Sequence, residues 1–504
     1  MRYVLGIDLG TTGTKTALFD EQGALIRSKT IDYPLYQPYN GWAEQDAADW
    51  WNAAVLGIRG VISGVDESLI CGVGLSGQMH GLVMLDGAGS VLRRPIIWCD
   101  QRTGSESRQL TEAIGAKRLV EITANPAMTG FTAAKILWVR NNEPEVYEKC
   151  AHILLPKDYI RYMLTGDLAT EASDAAGMQL MDVQGRRWSD ELLEKLNIDR
   201  SLLAPIYESP DVTGVVNKKA AKLTGLRAGT LVVGGAGDNA AAAVGTGVVK
   251  TGRAFNTIGS SGVIYSVSDQ VSVDPEGRVH TLCASVPGKW TVMSCTQSAG
   301  LSLKWLRDTC FGSDLTEARS PYSLLSEMAD DVPPGAGGLL YLPYLMGERS
   351  PHLDPDCRGV FFGLSASHGR PHMVRAVMEG VAYSQWECVE VFREMGVAVD
   401  KMTVCGGGGR SRLWRQILAD MYGCPVIVPQ TEEGPALGAA ILAAVGAGVY
   451  SSLEEACAVI VKTQSVQEPN PENQKIYRGC FELYKKLYID LKNDFKILSR
   501  LRGK

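Results

Sequence analysis

A strand-like run, a turn of glycines and hydroxyl residues, and a second strand-like run occur twice in this chain, and the duplication limits the folds open to it. In the first copy residues 3–8 are apolar and short, Gly10-Thr11-Thr12-Gly13 has turn chemistry, and residues 15–19 continue extended. In the second, residues 254–258 lead into Gly259-Ser260-Ser261-Gly262 and then residues 263–267. Identity between the copies is faint, but the pattern is shared. Such a repeat points to two related domains facing each other across a cleft, residues 1–247 and 253–504, with the linker near 245–253. The length of 504 residues, against roughly 150 for a usual domain, agrees with that division.

Around the first copy the pattern alternates strands with a helix. Residues 24–33 read as a third strand after the turn at 21–23. Asp46 is placed to cap a helix through about residue 63, with Trp50, Ala54, Ile58 and Val61 on one face. Residues 70–75 and 82–85 read as further strands, and 78–84 as extended chain. Near the end, Asn470-Pro471 opens a long helix whose apolar face carries Tyr477, Phe481, Tyr484, Tyr488, Leu491, Phe495 and Leu498.

Composition removes several classes of function. With 50 basic against 56 acidic residues the net charge is −6, which argues against a nucleic-acid binder held by a basic face. No uncharged stretch reaches the ~18 apolar residues of a membrane helix; residues 436–449 come nearest and are rich in Ala and Gly. Asp8 interrupts the run a signal peptide would need. Twelve cysteines stand singly with no Cys-x-x-Cys pair, as expected of reduced thiols in a cytoplasmic protein. His368 and His372 are four apart, but Pro371 between them favours a loop over a metal-binding helix face.

Four segments carry chemistry. Gly6-Ile7-Asp8-Leu9-Gly10-Thr11-Thr12-Gly13-Thr14-Lys15 lacks the Gly-Lys-Ser/Thr ending of a Walker loop. Its turn amides can still cradle phosphates, Lys15 adds charge, and Asp8 can hold Mg²⁺ through water. An ordinary hairpin with an Asp at its mouth is the alternative. In the second segment, Gly235-Ala236-Gly237-Asp238-Asn239-Ala240 fits a dinucleotide fingerprint, but Asp238 would stand where the pyrophosphate rests and no acid follows for the ribose. Asp238 is then either a catalytic base at a helix start or a plain N-cap. Gly72-x-Gly74-x-x-Gly77 imitates the same fingerprint; Gln78-Met79-His80, between Gly77 and Gly81, suits recognition of sugar hydroxyls better. Last, residues 402–405 run into Gly406-Gly407-Gly408-Gly409 before a helix over 412–422 stopped by Gly423, where bare backbone can lie against adenine or ribose. Residues 433–440 open a small-residue helix read as structural.

Taken in order, these segments resemble the FGGY carbohydrate kinases, most closely the branch acting on xylulose. The likeness also rests on Leu154-Leu155-Pro156-Lys157-Asp158-Tyr159, on residues 343–352 with Gly347-Glu348-Arg349-Ser350-Pro351-His352, and on Gly434-Pro435-Ala436-Leu437-Gly438. It implies an α/β fold of two ribonuclease-H-like, actin-like ATPase domains, with ATP, Mg²⁺ and a sugar in the cleft. Asp238 would be the base for the sugar's primary hydroxyl, with Met79, His80, Asn239 and Gln78 on the sugar. Thr11, Thr12 and Lys15 would meet the phosphates from one domain and Gly259 and Ser260 from the other. Gly300, Lys304, Gly407 and Ser411 align with nucleotide contacts. Departures are Gly-Ser-Ser-Gly at 259–262 for the commoner Gly-Thr-Ser-Gly, Cys99 for a usual Asn, and Ser411 where glycerol kinase has Asn. The implied reaction is phosphorylation of D-xylulose at its 5-hydroxyl, with a homodimer admitted. An actin- or chaperone-like ATPase, an NAD-dependent dehydrogenase, and a kinase for another pentulose, gluconate or a polyol stand as rivals.

Overall fold

The computed structural model describes residues 2–311, 320–431 and 433–501. Its first half is built on β1 (Tyr3–Leu9), β2 (Gly13–Asp20), β3 (Leu25–Asp32), helix α1 (Ala47–Ile62) and β4 (Ile70–Gly77). Further along come helix α2 (Pro156–Thr165), β5 (Val212–Val215), β6 (Leu231–Val233), β7 (Ala236–Gly237) and helix α3 (Asp238–Gly245). The strands form one sheet in the order β5-β6-β4-β1-β2-β3, with β7 also pairing β4. β1, β2 and β3 are antiparallel, whereas β4 runs parallel to β1, β6 and β7.

The second half repeats this topology. It contains β8 (Gly252–Ile258), β9 (Gly262–Ser268), β10 (His280–Cys283), β11 (Trp290–Thr296), and helices α4 (Gly300–Cys310), α5 (Pro321–Asp330) and α6 (Arg370–Glu394). Then follow β12 (Val399–Cys405), α7 (Arg412–Tyr422), β13 (Val426–Pro429), α8 (Gly434–Gly446), α9 (Leu453–Ile460), β14 (Thr463–Gln467) and α10 (Pro471–Leu501). Sheet order is β10-β11-β9-β8-β12-β13-β14. Again an antiparallel meander, β8-β9-β11, is joined by a parallel strand, β12 beside β8. The fold is thus two sheet-based α/β domains of like design. Among the described residues no helix is long and apolar enough to cross a membrane.

Local signals set many boundaries. Asp46 caps α1 by accepting from the Ala48 amide at 2.9 Å. Gly423, at φ 67°, ends α7 in the left-handed region where a Cβ is unwelcome. The small-residue helix α8 shows what its composition is for. Gly6 and Gly74 face each other across the parallel β1–β4 pair. A Cβ on Gly74 would overlap the Ala439 carbonyl of α8, and one on Gly438 would overlap the Ala241 carbonyl of α3. Glycine here lets a helix from the chain's last quarter lie flat on the first sheet. The apolar core holding Val4, Ala17 and Met79 accordingly takes in Ala440, Ile441 and Ile460.

Two local expectations change. Residues 78–81 are not strand: β4 ends at Gly77, His80 turns the chain at a left-handed φ of 66°, and the expected strand resumes with the Leu82–Ile96 bridge and Val83–Leu85. On α10, Leu498 is 38% exposed and Leu487 and Ser499 are buried in its stead. The helix runs for 31 residues, long enough for the apolar stripe to rotate out of the core. His368 sits in a turn and His372 in the first turn of α6, their rings 5.3 Å apart; Nε2 of His368 meets the Gly337 carbonyl. Pro371 occupies the first turn, where a missing amide hydrogen is harmless, so the helix starts earlier than a loop reading allows.

Candidate active site

Strand order brings two distant carboxylates together. Asp8 is level with Ser76 in the parallel β1–β4 pair, and Ser76 Oγ donates to Asp8 Oδ1 at 2.9 Å. On the opposite edge of β4, Ala236 is level with the same Ser76, and Asp238 begins α3 two residues later. One strand separates the two acids, which puts their backbones on the order of 10 Å apart. Burial, and then the Asp8 charge, push Asp238 up to about 7. Burial raises Asp8 as well, opposed by the Ser76 hydroxyl and Lys15. Gly237 holds the N-cap position and Asp238 is the first helical residue, so a plain capping role does not describe it. Its Oδ1 accepts from the amide of Asn239 at 2.7 Å and from Asn239 Nδ2 at 2.9 Å.

The first hairpin is held from several directions. Lys15 is the cross-strand neighbour of Asp8, and its Nζ lies 2.5 Å from Glu433 Oε2, just ahead of α8. Thr11 Oγ1 accepts from Trp98 Nε1 at 2.9 Å, and its carbonyl accepts from Gln45 Nε2 at 2.6 Å. Thr12 is exposed. Gln78 donates to Gln45 Oε1 at 2.7 Å and to the Gly10 carbonyl at 3.4 Å, so its amide braces the hairpin from inside.

Beyond Asp238 the wall is formed by His80. Its Nδ1 is 3.1 Å from the Gly177 carbonyl, and its ring stacks on Phe131 with centroids 4.3 Å apart. Burial, then Lys135, push its pKa down to about 3, which leaves a neutral imidazole. Lys135 donates to the His80 carbonyl at 2.7 Å and to the Gly130 carbonyl at 2.8 Å, fixing the left-handed turn. Met79 packs beneath Gly237, where a Cβ would come within 2.8 Å of its Cγ. In the segment with Cys99, Arg102 binds Asp100 at 2.7 Å and Glu44 at 2.8 Å and lies 3.6 Å over Trp42, a structural clamp.

The second hairpin opens onto a cavity of about 720 Å³. Gly259, Ser260, Gly300, Lys304, Gly407 and Ser411 all line it, together with Met378 and Ser326. The Gly300 amide donates to the Gly259 carbonyl at 2.7 Å, and the Leu301 amide to that of Ser260 at 3.1 Å, which seats the hairpin on the start of α4. Ser411 caps α7 by accepting from the Trp414 amide at 3.1 Å and shares a 2.7 Å hydrogen bond with Ser326. Lys304 is paired with Asp308 at 2.7 Å.

Sequence reasoning missed a buried charge cluster behind Asp238. Lys157 Nζ lies 2.8 Å from Asp158, 3.3 Å from Glu171 and 3.4 Å from Asp174, all fully buried. Glu171 accepts from Ser173 and Ser209, and Ser173 Oγ accepts from the Gly237 amide at 3.2 Å. The cluster thereby supports the backbone that carries Asp238. Lys157-Asp158 was visible as a motif; nothing local marks Glu171, Asp174 or Gln45 as its or the hairpin's partners.

A donor-rich hairpin on each domain, a cavity of about 720 Å³ beside the second, and paired carboxylates beside the first suit a phosphotransferase of the actin-like fold. Residues 3–245 match the N-terminal domain of the FGGY family of carbohydrate kinases and residues 254–447 its C-terminal domain. The chain belongs to that family: it is a carbohydrate kinase, transferring phosphate from ATP to an alcohol group of a small sugar-like acceptor. It is 39% identical over 495 residues to a xylulose kinase of Bacillus subtilis, covering 98% of each chain. A gluconokinase of Bacillus licheniformis is 31% identical, over 98% of this chain and 97% of its own. The crystal structure of a xyloylose kinase from Brucella ovis superposes with a TM-score of 0.91 at 34% identity, covering 98% of this chain and 100% of that one.

Proposed function

We propose that the chain phosphorylates the primary 5-hydroxyl of a ketopentose, D-xylulose before others, to give D-xylulose 5-phosphate. The observation that carries the mechanism is Asp238, buried and raised to about 7, one strand away from Asp8, with Met79, next to the neutral His80, packed against its turn. Asp238 accepts the hydroxyl proton, the hydroxyl oxygen bonds to the γ-phosphorus, and the bond from that phosphorus to the β-phosphate oxygen breaks to release ADP. Asn239 orients the carboxylate. Thr11, Thr12 and Lys15 address the phosphates from residues 1–247; Gly259 and Ser260 address them from 253–504, where Gly300, Lys304, Gly407 and Ser411 hold the nucleoside. His80, Met79 and Gln78 shape the sugar side, Gln78 through the hairpin it braces.

Among the described residues no three His, Cys, Asp or Glu side chains cluster as a metal cage. One buried carboxylate, Asp8, with a second across β4, suits a Mg²⁺ that would keep most of its waters. Bound there it would neutralise phosphate charge, and Asp8 would hold it through water. We place the chain in a reducing, cytoplasmic setting on its twelve cysteines, which stand singly with no Cys-x-x-Cys pair.

Coupled ADP release measured across ketopentoses, polyols and aldonates tests the assignment. The highest kcat/KM is expected with D-xylulose. ATP turnover indifferent to any added sugar would identify an ATPase instead, and a preference for gluconate would support the second reading that the gluconokinase relative favours. His80→Ala, which removes the stacked ring, is expected to raise KM for the sugar about tenfold, the effect of losing ~1.4 kcal/mol. KM for ATP should stay within twofold; equal rises in both would remove His80 from the sugar side.

A further inference from the structure

We propose that Arg349 reads the carbonyl end of the acceptor, donating its guanidinium fork to the two oxygens farthest from the hydroxyl that is phosphorylated. The inference rests on the kinase reading above and adds a specificity-determining residue to it.

Arg349 belongs to the second half of the chain but reaches the first. Its loop is bolted down: Glu348 Oε1 accepts from the amides of Gln297 at 2.7 Å and Arg349 at 2.8 Å. Glu348 and Asp354 exchange backbone hydrogen bonds of 2.9 and 3.1 Å across the same loop. From there the side chain crosses to the other domain, where Nη2 lies 3.8 Å from Met128 Sδ, a weak acceptor. The Met128 carbonyl receives the amide of Phe131, the ring on which His80 stacks. The guanidinium therefore stands at the His80 wall.

Among the described residues no carboxylate pairs with it, and its Nε is buried without an acceptor. The titratable groups around it are His80, His280 and Cys295, the histidines kept neutral by burial and the thiol raised by it. A cation left without an anion or a full set of acceptors destabilises a folded protein. A rigid loop holding one in the cleft is explained by a ligand that completes it.

Its position selects the ligand. Phosphates belong to the side of Asp8, Lys15 and the two hairpins, and the reacting hydroxyl to Asp238. Arg349 stands instead at Met128 and His80, and Cys295 senses the charge of both Arg349 and Asp238. A planar fork matches two adjacent oxygens, one of them trigonal. Those are the C2 carbonyl and C1 hydroxyl of an open-chain ketose, or the carboxylate of an aldonate. A polyol offers no such pair.

The test compares wild type with Arg349→Gln and Arg349→Met as full chains. Steady-state kinetics are taken with D-xylulose, its C2-reduced polyol and gluconate, alongside direct sugar binding without ATP and thermal melting. For Arg349→Gln, KM and Kd for the preferred carbonyl acceptor should rise ten- to a hundredfold, KM for ATP should stay within twofold, and the preference over the polyol should collapse. A larger rise for gluconate than for the ketose would show a carboxylate as the natural partner. The Arg349→Met protein should melt no lower than wild type. A fall in kcat with sugar KM and preference intact would assign Arg349 to the phosphoryl group and overturn the proposal. So would parallel loss of ATP and sugar affinity with a lower melting point. Wild type that neither binds nor phosphorylates any of the three would overturn the proposed acceptor itself, a failure distinct from that of Arg349.

Discussion

Asp238→Asn is expected to lower kcat by about 10²–10⁴-fold, the usual contribution of a positioned general base, while ATP affinity persists. The substitution keeps shape and Asn239's company but removes the proton acceptor. In wild type the pKa of about 7 sets the working range: the acid form cannot take the proton, so kcat/KM should fall tenfold per pH unit below about pH 7. Activity in Asp238→Asn should lose that limb. Stability moves the opposite way. A carboxylate whose folded pKa lies above its unfolded 3.8 favours the fold at low pH and loses that support as pH rises through 7. Asp238→Asn should therefore melt higher than wild type at pH 8, with the gap closing toward pH 4. An unchanged pH–rate profile, or more than a few per cent of wild-type kcat, would remove Asp238 from the base role.

Lys157→Met is expected to destabilise the protein by about 3–5 kcal/mol, the scale of breaking a buried ion pair by removing one partner. Burial opposes charge on Lys157, but Asp158, Glu171 and Asp174 together hold its amine above the ordinary lysine range. Burial in turn raises Asp174 well above a usual carboxylate. That leaves Lys157 and Arg161 against Asp158 and Glu171, with Arg161 Nε 3.9 Å from Asp158. Without Lys157, Glu171 loses a counter-charge while still anchoring Ser173 under Gly237. Denaturant titration should show the loss, and adding Glu171→Gln should recover part of it because the pair is coupled. A loss under about 1 kcal/mol would mean that the cluster already sits balanced without its lysine.

Much of the fold was legible because its signals are local. The hairpins at 10–13 and 259–262 fall where glycine and hydroxyl residues place them, and α1 and α7 begin and end at residues their caps dictate. The six residues singled out from Gly259 to Ser411 come together in the structure: all line one cavity, which we propose as the nucleotide side. On the side proposed for the sugar, Met79 lies against the turn that carries Asp238, but Gln78 points inward, because Gln45, 33 residues earlier, supplies its acceptor. Of the extended chain expected over 78–84 only residues 78–81 depart, since Leu82 bridges Ile96 and Val83–Leu85 is a strand, and they depart for a related reason. Lys135, a residue remote in sequence, stabilises a left-handed His80 that no local propensity favours.

The amino-acid order alone determined the duplicated strand–turn–strand units, the helix limits and the glycines, since turns, caps and periodicity act over a few residues. Only the tertiary structure decided that Asp8 and Asp238 flank one strand, that Glu433 holds Lys15, that α8 lies on the first sheet, and that Arg349 reaches Met128. Those relations join residues tens to hundreds of positions apart. Burial and charge pairing depend on which distant surfaces meet, a quantity that exists only once the chain has closed on itself.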